Sequence, residues 1–265
     1  MRRFIALIGV LLVAGCGQSA SPKAGGSRVG PDCAPEVIAH RGEPVVAPEE
    51  TMQSFRAAAD HGATVLEGDI QFTKDGRAIM LHDETVDRTT DGTGAVKGMT
   101  FAQLRRLNAG GGSQIPTLAE LTGFVSAAHL RLVVELKNAG VTQTQVETVL
   151  KEVKGIQQRT TIESFSAPAL AIVRRLEPSL RTALITNEPI SGTTARASGT
   201  TLLPSMKVVT KTKVQEWHRA GVKVYPWTPD DAGAWSKARL AGADGVITNR
   251  TTEYLAWAVK GCPAP

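Results

Sequence analysis

Short apolar runs alternate with amphipathic stretches from residue 36 to residue 259. Runs of four to eight residues rich in Val, Ile, Leu and Thr are typical of buried strands in a parallel sheet. Such runs predict eight strands, at 36–40, 64–70, 130–137, 160–164, 181–185, 201–204, 222–227 and 245–248. Between them apolar residues recur at helical spacing, which predicts helices at 51–60, 143–153, 167–176, 211–220, 231–241 and 252–259.

Strands that alternate with helices indicate parallel βαβ units, and eight of them favour a (β/α)8 TIM barrel of the α/β class over an open sheet. The length of 265 residues suits one such domain. The pattern is least regular at 76–114, where 78–81 resembles a short extra strand. We therefore expect a small excursion above the barrel rim after the second strand.

The first residues of the chain differ from the rest. Arg2 and Arg3 precede an apolar run at 4–13, and small residues then lead to Cys16. This resembles a bacterial lipobox and predicts a lipoprotein signal peptide at 1–15, with cleavage before Cys16 and lipid on its thiol. An ordinary signal peptide or a short membrane anchor is the alternative, although the run is too short for a bilayer core of about 30 Å.

Residues 16–32 are rich in Ser, Gly and Pro, which predicts a flexible tether to a domain at 33–265. The protein is then expected in the cell envelope, outside the cytoplasm and lipid-anchored to a membrane. Such a compartment permits disulfides, and the first and last strands of a closed barrel are neighbours, so we predict that Cys33 pairs with Cys262. Two buried free thiols are the alternative.

Charge and composition narrow the classes of partner. The formal net charge is +5, to which Arg2 and Arg3 contribute, and aromatic residues make up 5% of the chain. Because the cations are scattered and aromatic residues are few, we expect no nucleic-acid surface. A mildly basic surface suits anionic substrates or lipid headgroups.

Three short segments that each close an apolar run carry the candidate chemistry: His40-Arg41-Gly42, Glu67-Gly68-Asp69 and Leu81-His82-Asp83. Cleavage of a phosphodiester needs cations on the phosphoryl oxygens and a proton donor for the leaving alkoxide. Residues two apart on a strand share a face, so Glu67 and Asp69 can bind one hard cation. Barrel active sites form at the C-terminal ends of strands, where these segments are predicted to lie.

In this order, the motifs resemble the glycerophosphodiester phosphodiesterase family. The resemblance covers residues 37–250 and includes further segments: Pro48-Glu49-Glu50-Thr51, Asp75-Gly76, Pro116-Thr117-Leu118, Glu135-Leu136-Lys137, Trp227-Thr228 and 242–249. It implies a metal-dependent enzyme that hydrolyses deacylated phospholipids to sn-glycerol 3-phosphate and an alcohol such as choline or ethanolamine.

The resemblance also implies the catalytic groups. His40 and His82 would act as general acid and base, in an order that the sequence leaves open. The neighbouring glycerol hydroxyl would be the nucleophile, giving a cyclic phosphate that water then opens. A divalent cation, Ca²⁺ or Mg²⁺, would bind oxygen ligands, which the resemblance identifies as Glu67, Asp69 and Glu135.

Other positions would bind substrate. Arg41 and Lys137 would contact the phosphoryl oxygens, with an ion pair to a nearby carboxylate as a further role for Lys137. Trp227 would wall the pocket against the glycerol moiety, or else be a core tryptophan. Glu49 would orient Arg41 or a metal ligand.

Two positions depart from the family pattern, since Glu50 replaces an asparagine and Asp230 stands where asparagine is common. The remaining histidines lie in helix-like stretches and are expected to have surface or packing roles: His61, His129 and His218. Two other functions stay open. They are a phospholipase that acts on intact phospholipid and a lipoprotein that binds glycerophosphodiesters without turnover.

Overall fold

The computed structural model describes residues 34–137 and 140–262. The predicted signal peptide, the tether, Cys16 and Cys33 lie outside the described residues, so lipidation and the pairing of Cys33 with Cys262 stay predictions. Within the described ranges, every helix is too short or too polar to cross a membrane.

Nine strands form one sheet, and eight of them run parallel around a nearly closed barrel. In chain order they are β1 (Glu36–Ala39), β2 (Val65–Phe72), β3 (Ala78–Met80), β4 (Arg131–Leu136), β5 (Thr160–Ser164), β6 (Arg181–Thr186), β7 (Thr201–Pro204), β8 (Lys223–Val224) and β9 (Gly245–Thr248). The order around the barrel is β8-β7-β6-β5-β4-β2-β1-β9, and β3 pairs antiparallel with β2. The predicted (β/α)8 barrel and its single-domain organisation are confirmed.

The barrel closes between β8 and β9. The Asp244 amide donates to the Val224 carbonyl, and the Ile247 amide to the Pro226 carbonyl, each at 2.9 Å. The prediction of a continuous strand at 222–227 is wrong in extent, because β8 has two residues. Pro226 has no N–H to donate to a ladder, and Trp227 rejoins the sheet through isolated bridges to Ser205 and Ile247.

The described helices cover the outside of the barrel or belong to the excursion, and all six predicted helices are present. They are α1 (Met52–Asp60), α2 (Phe101–Leu104), α3 (Leu118–Ala127), α4 (Gln143–Glu152), α5 (Ala167–Leu176), α6 (Gly192–Ser198), α7 (Lys211–Arg219), α8 (Ala232–Ala241) and α9 (Thr251–Val259). Most begin at a Thr, Ser or Asp whose side chain accepts from an amide of the first turn, which satisfies a donor that the helix leaves unpaired, as at Thr51, Thr117 and Asp231.

Apolar clusters on both sides of the strands hold the barrel together, and two of them bear on the position of the site. The larger lies between strands and helices and includes Leu66, Leu132 and Leu202. The smaller fills the barrel interior, with eight buried residues: Ile38, Val65, Val133, Ala183, Ile185, Leu203, Tyr225 and Ile247. Because side chains alternate along a strand, the same strands also direct carboxylates inward above this layer.

The predicted excursion after the second strand is present. β2 extends past its barrel neighbours and pairs with β3, and the following loops pack around their own apolar cluster: Ile79, Leu81, Val86, Val96, Leu104, Ala109 and Ile115. The Leu81 amide donates to the Asp69 carbonyl at 3.0 Å. The excursion therefore brings the next residue, His82, to the barrel mouth.

Candidate active site

A sharp turn after β1 directs His40 and Arg41 into the barrel mouth. Arg41 and Gly42 have φ values of 56° and 85°. A Cβ on Gly42 would lie 2.5 Å from the carbonyl carbon of Ser54, so the close approach of α1 requires glycine. The Arg41 amide donates to Glu67 Oε2 at 3.0 Å, which ties the turn to β2.

His40 is fixed by hydrogen bonds from the end of β9. Its Nδ1 lies 2.7 Å from Asn249 Oδ1, while Asn249 Nδ2 donates to Asp230 Oδ2 at 2.7 Å. Since the carboxylate takes the amide N–H, the amide oxygen must accept, and Nδ1 carries the imidazole proton. Burial and the neighbouring Arg41 lower the pKa of His40 to about 4. His40 is therefore neutral near pH 7, and its Nε2 can accept a proton.

His82 follows β3 at the barrel mouth and has a different partner. Its Nδ1 lies 2.5 Å from Asp83 Oδ1, and Arg88 Nε donates to Asp83 Oδ2 at 2.6 Å. Hydrogen bonds from Arg88 and His82 lower the pKa of Asp83 to about 2, so this carboxylate is ionised. Asp83 thus orients the His82 ring through Nδ1 and leaves Nε2 for a substrate.

Arg88 connects this histidine to the segment between β1 and α1. Its Nη1 and Nη2 donate to Glu49 Oε2 and Oε1 at 3.0 and 2.7 Å. Glu49 Oε1 also accepts from Arg41 Nη1 at 3.0 Å, in accord with its predicted contact with Arg41. Sequence reasoning missed Arg88, because a lone arginine in an irregular segment carries no pattern that distinguishes it.

The three predicted metal ligands meet at the C-terminal ends of β2 and β4. Carboxylate oxygens of Glu67, Asp69 and Glu135 lie within 4.8 Å of one another, and Asp69 pairs in register with Glu135. Both Asp69 oxygens and Glu135 Oε1 are buried without a hydrogen-bond partner. Burial and the adjacent Asp69 raise the pKa of Glu67 well above its ordinary value and that of Glu135 to about 8. A hard divalent cation would neutralise this crowding of carboxylate oxygens and bind them in their ionised form.

Two cations already stand beside these carboxylates. Lys137 Nζ lies 3.0 Å from Glu135 Oε2 and 3.3 Å from Asp69 Oδ1, and Arg41 Nε lies 3.0 Å from Asp69 Oδ2. Although burial opposes it, Lys137 and Arg41 hold the pKa of Asp69 well below its usual range. The predicted ion pair of Lys137 is therefore present, and the same ammonium lines the cavity where a phosphate would bind.

The mouth encloses a cavity of about 180 Å³ whose lining includes both histidines, Arg41 and Lys137. Trp227 forms one wall. Its Nε1 donates to the Leu203 carbonyl at 2.9 Å, and its ring meets Phe165 edge-on with centroids 5.9 Å apart. Trp227 therefore combines the two predicted roles, pocket wall and core tryptophan, because its indole is anchored to the core and also faces the cavity.

Two buried carboxylates add to the site. Glu50 Oε1 accepts from the Asp69 amide at 2.9 Å. Glu50, which replaces the asparagine of the family pattern, therefore holds the part of β2 that carries Asp69. Glu163, which sequence reasoning missed, is 3% exposed and lies on the cavity floor with Oε2 unpaired. A charged residue at an inward position of an otherwise uncharged strand was the signal that could have found it.

Asp230 and the three remaining histidines lie outside the set of groups that line the cavity. Asp230 accepts from Thr248 Oγ1 and the Asn249 amide as well as from Asn249 Nδ2. The three remaining histidines are exposed and outside the cavity lining: His61, His129 and His218.

Comparisons with known proteins agree with this geometry. Residues 40–253 match the model of the Glycerophosphoryl diester phosphodiesterase family. A glycerophosphodiester phosphodiesterase of Caldanaerobacter subterraneus is 34% identical over 239 residues, covering 85% of this chain and 98% of its own. An Oleispira antarctica phosphodiesterase, solved in complex with the product sn-glycerol-3-phosphate, has a TM-score of 0.79 and 27% identity, covering 86% of this chain and 97% of its own. A glycerophosphodiester phosphodiesterase of Agrobacterium tumefaciens shares the fold, with a TM-score of 0.74 at 23% identity and coverage of 84% and 99%.

Proposed function

Because the chain belongs to the glycerophosphoryl diester phosphodiesterase family, we propose that it hydrolyses glycerophosphodiesters to sn-glycerol 3-phosphate and an alcohol. One observation carries the proposal. A single cavity is lined by two histidines, by Arg41 and Lys137, and by two of the three clustered carboxylates.

The histidine environments support an assignment of roles. His40, neutral and with Nδ1 engaged by Asn249, would accept the proton of the attacking glycerol hydroxyl at Nε2. His82, oriented by the ionised Asp83, would donate a proton to the leaving alkoxide. The new P–O bond closes a cyclic phosphate as the alcohol leaves. Water would then open that ring with the two proton transfers reversed, restoring both histidines.

Arg41 and Lys137 would bind the phosphoryl oxygens throughout. Glu67, Asp69 and Glu135 would hold Ca²⁺ or Mg²⁺, which when bound stabilises negative charge on the phosphoryl group. Charge balance supports a resident cation, because five buried carboxylates stand against two cationic side chains in this region: Glu50, Glu67, Asp69, Glu135 and Glu163 against Arg41 and Lys137.

The size of the cavity favours a deacylated substrate over an intact phospholipid. Its volume of about 180 Å³ is below the roughly 300 Å³ at which pockets for drug-sized ligands begin. Among the described residues, the large apolar side chains that are exposed include none in the excursion at 76–114. The excursion therefore presents no fully exposed large apolar side chain for insertion into lipid.

The N-terminal pattern supports a lipid-anchored protein of the cell envelope. Arg2, Arg3 and the apolar run at 4–13 lead to Cys16, and a polar segment separates that residue from the barrel. In that compartment, Cys33 would pair with Cys262. A mass measurement of the membrane-extracted protein tests both modifications.

Release of glycerol 3-phosphate from glycerophosphocholine tests the function. The full chain is assayed in EDTA and again after addition of Mg²⁺ or Ca²⁺. We expect release that depends on the metal, is lost in His40→Gln and His82→Gln, and persists in the exposed control His61→Gln. Release from intact phosphatidylcholine alone would establish the phospholipase, and tight binding of glycerophosphocholine without release would establish the binding protein.

A further inference from the structure

A second cavity, of about 480 Å³, opens at the end of the barrel opposite the mouth. It is lined by the first residues of the strands, whereas the mouth is lined by their last residues. Glu163 and Leu203 line both cavities and so separate them. The proposed hydrolysis makes no use of this second space.

The entrance to this cavity is cationic. Arg131, Arg181 and Lys223 are the first residues of β4, β6 and β8. These strands alternate around the barrel, and inward residues of alternate strands share one layer. Arg159, just before β5, adds a fourth cation. We name these four residues the cationic funnel.

Two carboxyl groups line the same cavity: Glu163 lies at its inner end, shared with the mouth, and Glu36 lies near the entrance, where one arginine already neutralises it. Arg131 Nη1 donates to Glu36 Oε2 at 3.2 Å, its Nη2 contacts Oε1, and the Tyr225 hydroxyl donates to Oε2 at 3.2 Å. Among the described residues that line this cavity, Arg159, Arg181 and Lys223 form no ion pair with either carboxyl group.

Backbone carbonyls hold two of these arginines in place. Arg159 Nη1 donates to the Leu130 carbonyl at 3.2 Å, and Arg181 Nη2 donates to the Gln158 carbonyl at 2.8 Å. Each guanidinium has five N–H donors, so most of them remain for a ligand. Apolar walls below, from Ile38, Val65 and Val133, limit screening by water and strengthen attraction to an anion.

We propose that the cationic funnel binds a phosphate-type anion, supplied either as a free phosphate or by a lipid headgroup. Several cations around one opening match an anion with three or four oxygens, and the guanidinium fork fits phosphate in particular. The site is independent of the proposed hydrolysis.

Calorimetric titration of the full chain with inorganic phosphate in EDTA tests the proposal. The double variant Arg181→Gln/Lys223→Gln removes two exposed cations from the funnel and leaves the Arg131 pair with Glu36 intact. The matched control is Lys211→Gln/Lys237→Gln, which removes two exposed cations from α7 and α8. Both variants keep the mouth, so phosphate binding there is common to both.

We expect the funnel variant to lose one phosphate-binding event, with its Kd raised about tenfold or more, while the control keeps it. Turnover of glycerophosphocholine should stay within about twofold in both variants, which shows that they are folded. Identical isotherms for the two variants, together with equal vesicle binding, would overturn the proposal.

Flotation with phosphatidylcholine vesicles that contain phosphatidylglycerol distinguishes the two sources. The N-terminus is the same in both variants, so a difference in bound fraction reports the funnel alone. Weaker flotation of the funnel variant, reversed by salt, supports the headgroup as ligand. Equal flotation with loss of the phosphate event supports a free phosphate.

Discussion

The two histidines of the mouth are held by partners of opposite kind. An uncharged amide holds His40, whereas an ionised carboxylate holds His82. Burial and Arg41 lower the pKa of His40 to about 4 and keep its ring neutral, while Asn249 fixes the proton on Nδ1; Asp83 fixes the ring of His82 through the same atom. The partners therefore distinguish two residues that are chemically identical in the sequence.

Asn249 is expected to position His40 for catalysis. In Asn249→Ala the Nδ1 proton loses its acceptor, so the ring can rotate and adopt the other tautomer. We expect kcat to fall by about 10- to 100-fold, with a small change in KM. Steady-state kinetics on glycerophosphocholine measures the split. An unchanged kcat, or a loss confined to KM, would contradict the role.

Glu50 is expected to destabilise the fold as pH rises. Burial and Asp69 raise its pKa in the folded state well above the ordinary 4.5. Below about pH 4.5 the carboxyl is protonated in both states; above it the unfolded chain ionises first, so stability falls. Gln does not titrate and keeps the acceptor for the Asp69 amide.

Thermal unfolding in EDTA at pH 4 and at pH 8 measures this effect. The gain in stability from Glu50→Gln should be near zero at pH 4 and should increase toward pH 8, by about 1.4 kcal/mol for each unit of pKa elevation. A gain that is equal at both pH values would show that titration of Glu50 is not its cause.

At this scale, the sequence predicts residues whose chemistry is evident from type and spacing. Glu67 and Asp69 share one face of β2, Glu135 lies in the neighbouring β4, and His40 precedes a glycine turn. The hydrogen bond of His40 to Asn249 spans 209 positions and exists because β1 pairs with β9. Such a partner depends on barrel closure, which local pattern does not specify.

One arginine joins the excursion to the connection between β1 and α1. Arg88 from the excursion binds Glu49 from that connection with both terminal nitrogens, across 39 positions of sequence. Each segment also carries a histidine. The contact of Arg88 with Glu49, which we call the clamp, therefore fixes the spacing of His82 from His40. Surface ion pairs are usually weak. Arg88, however, binds Asp83 through two nitrogens and Glu49 through two nitrogens, and such bidentate contacts are more rigid.

Arg88→Met should therefore impair catalysis more than stability. We expect kcat to fall about tenfold, because misplacement of His82 slows proton transfer, while Tm falls by a few degrees or less. Arg106→Met, in the same excursion and exposed, is the matched control. Equal activity of the two variants would show that the clamp has no catalytic effect.

Elements with a strong periodic pattern were predicted, whereas three of the described helices were not: α2, α3 and α6. α2 has four residues, too few to show a helical period. α3 includes Gly123 and is apolar around most of its circumference, so it lacks a distinct polar face. α6 has the sequence GTTARAS, in which Gly, Thr and Ser have low helix propensity. Its position depends on packing against β6 and α7, since the Gly192 amide donates to Glu216 Oε1 at 2.8 Å.

Across the whole molecule, the acidic cluster links metal binding to stability. A cation that binds the folded chain alone adds about 2.7 kcal/mol at 100 times its Kd. We expect Mg²⁺ or Ca²⁺ to raise Tm relative to EDTA, and Glu135→Gln to abolish most of that rise. The exposed control Glu188→Gln should keep it. A metal-induced rise that survives in Glu135→Gln would place the ion elsewhere.

The described chain enters the barrel at the end with the second cavity, and the candidate active site lies at the opposite end. Ala34 is two residues before β1, and the first residue of β1 lines the second cavity. The mouth lies beyond the other ends of the strands. If the second cavity faced a lipid surface, as a headgroup ligand of the cationic funnel would require, the mouth would open toward the surrounding water. Its substrate would arrive by diffusion from solution, and the lipids of that surface would lie beyond its reach.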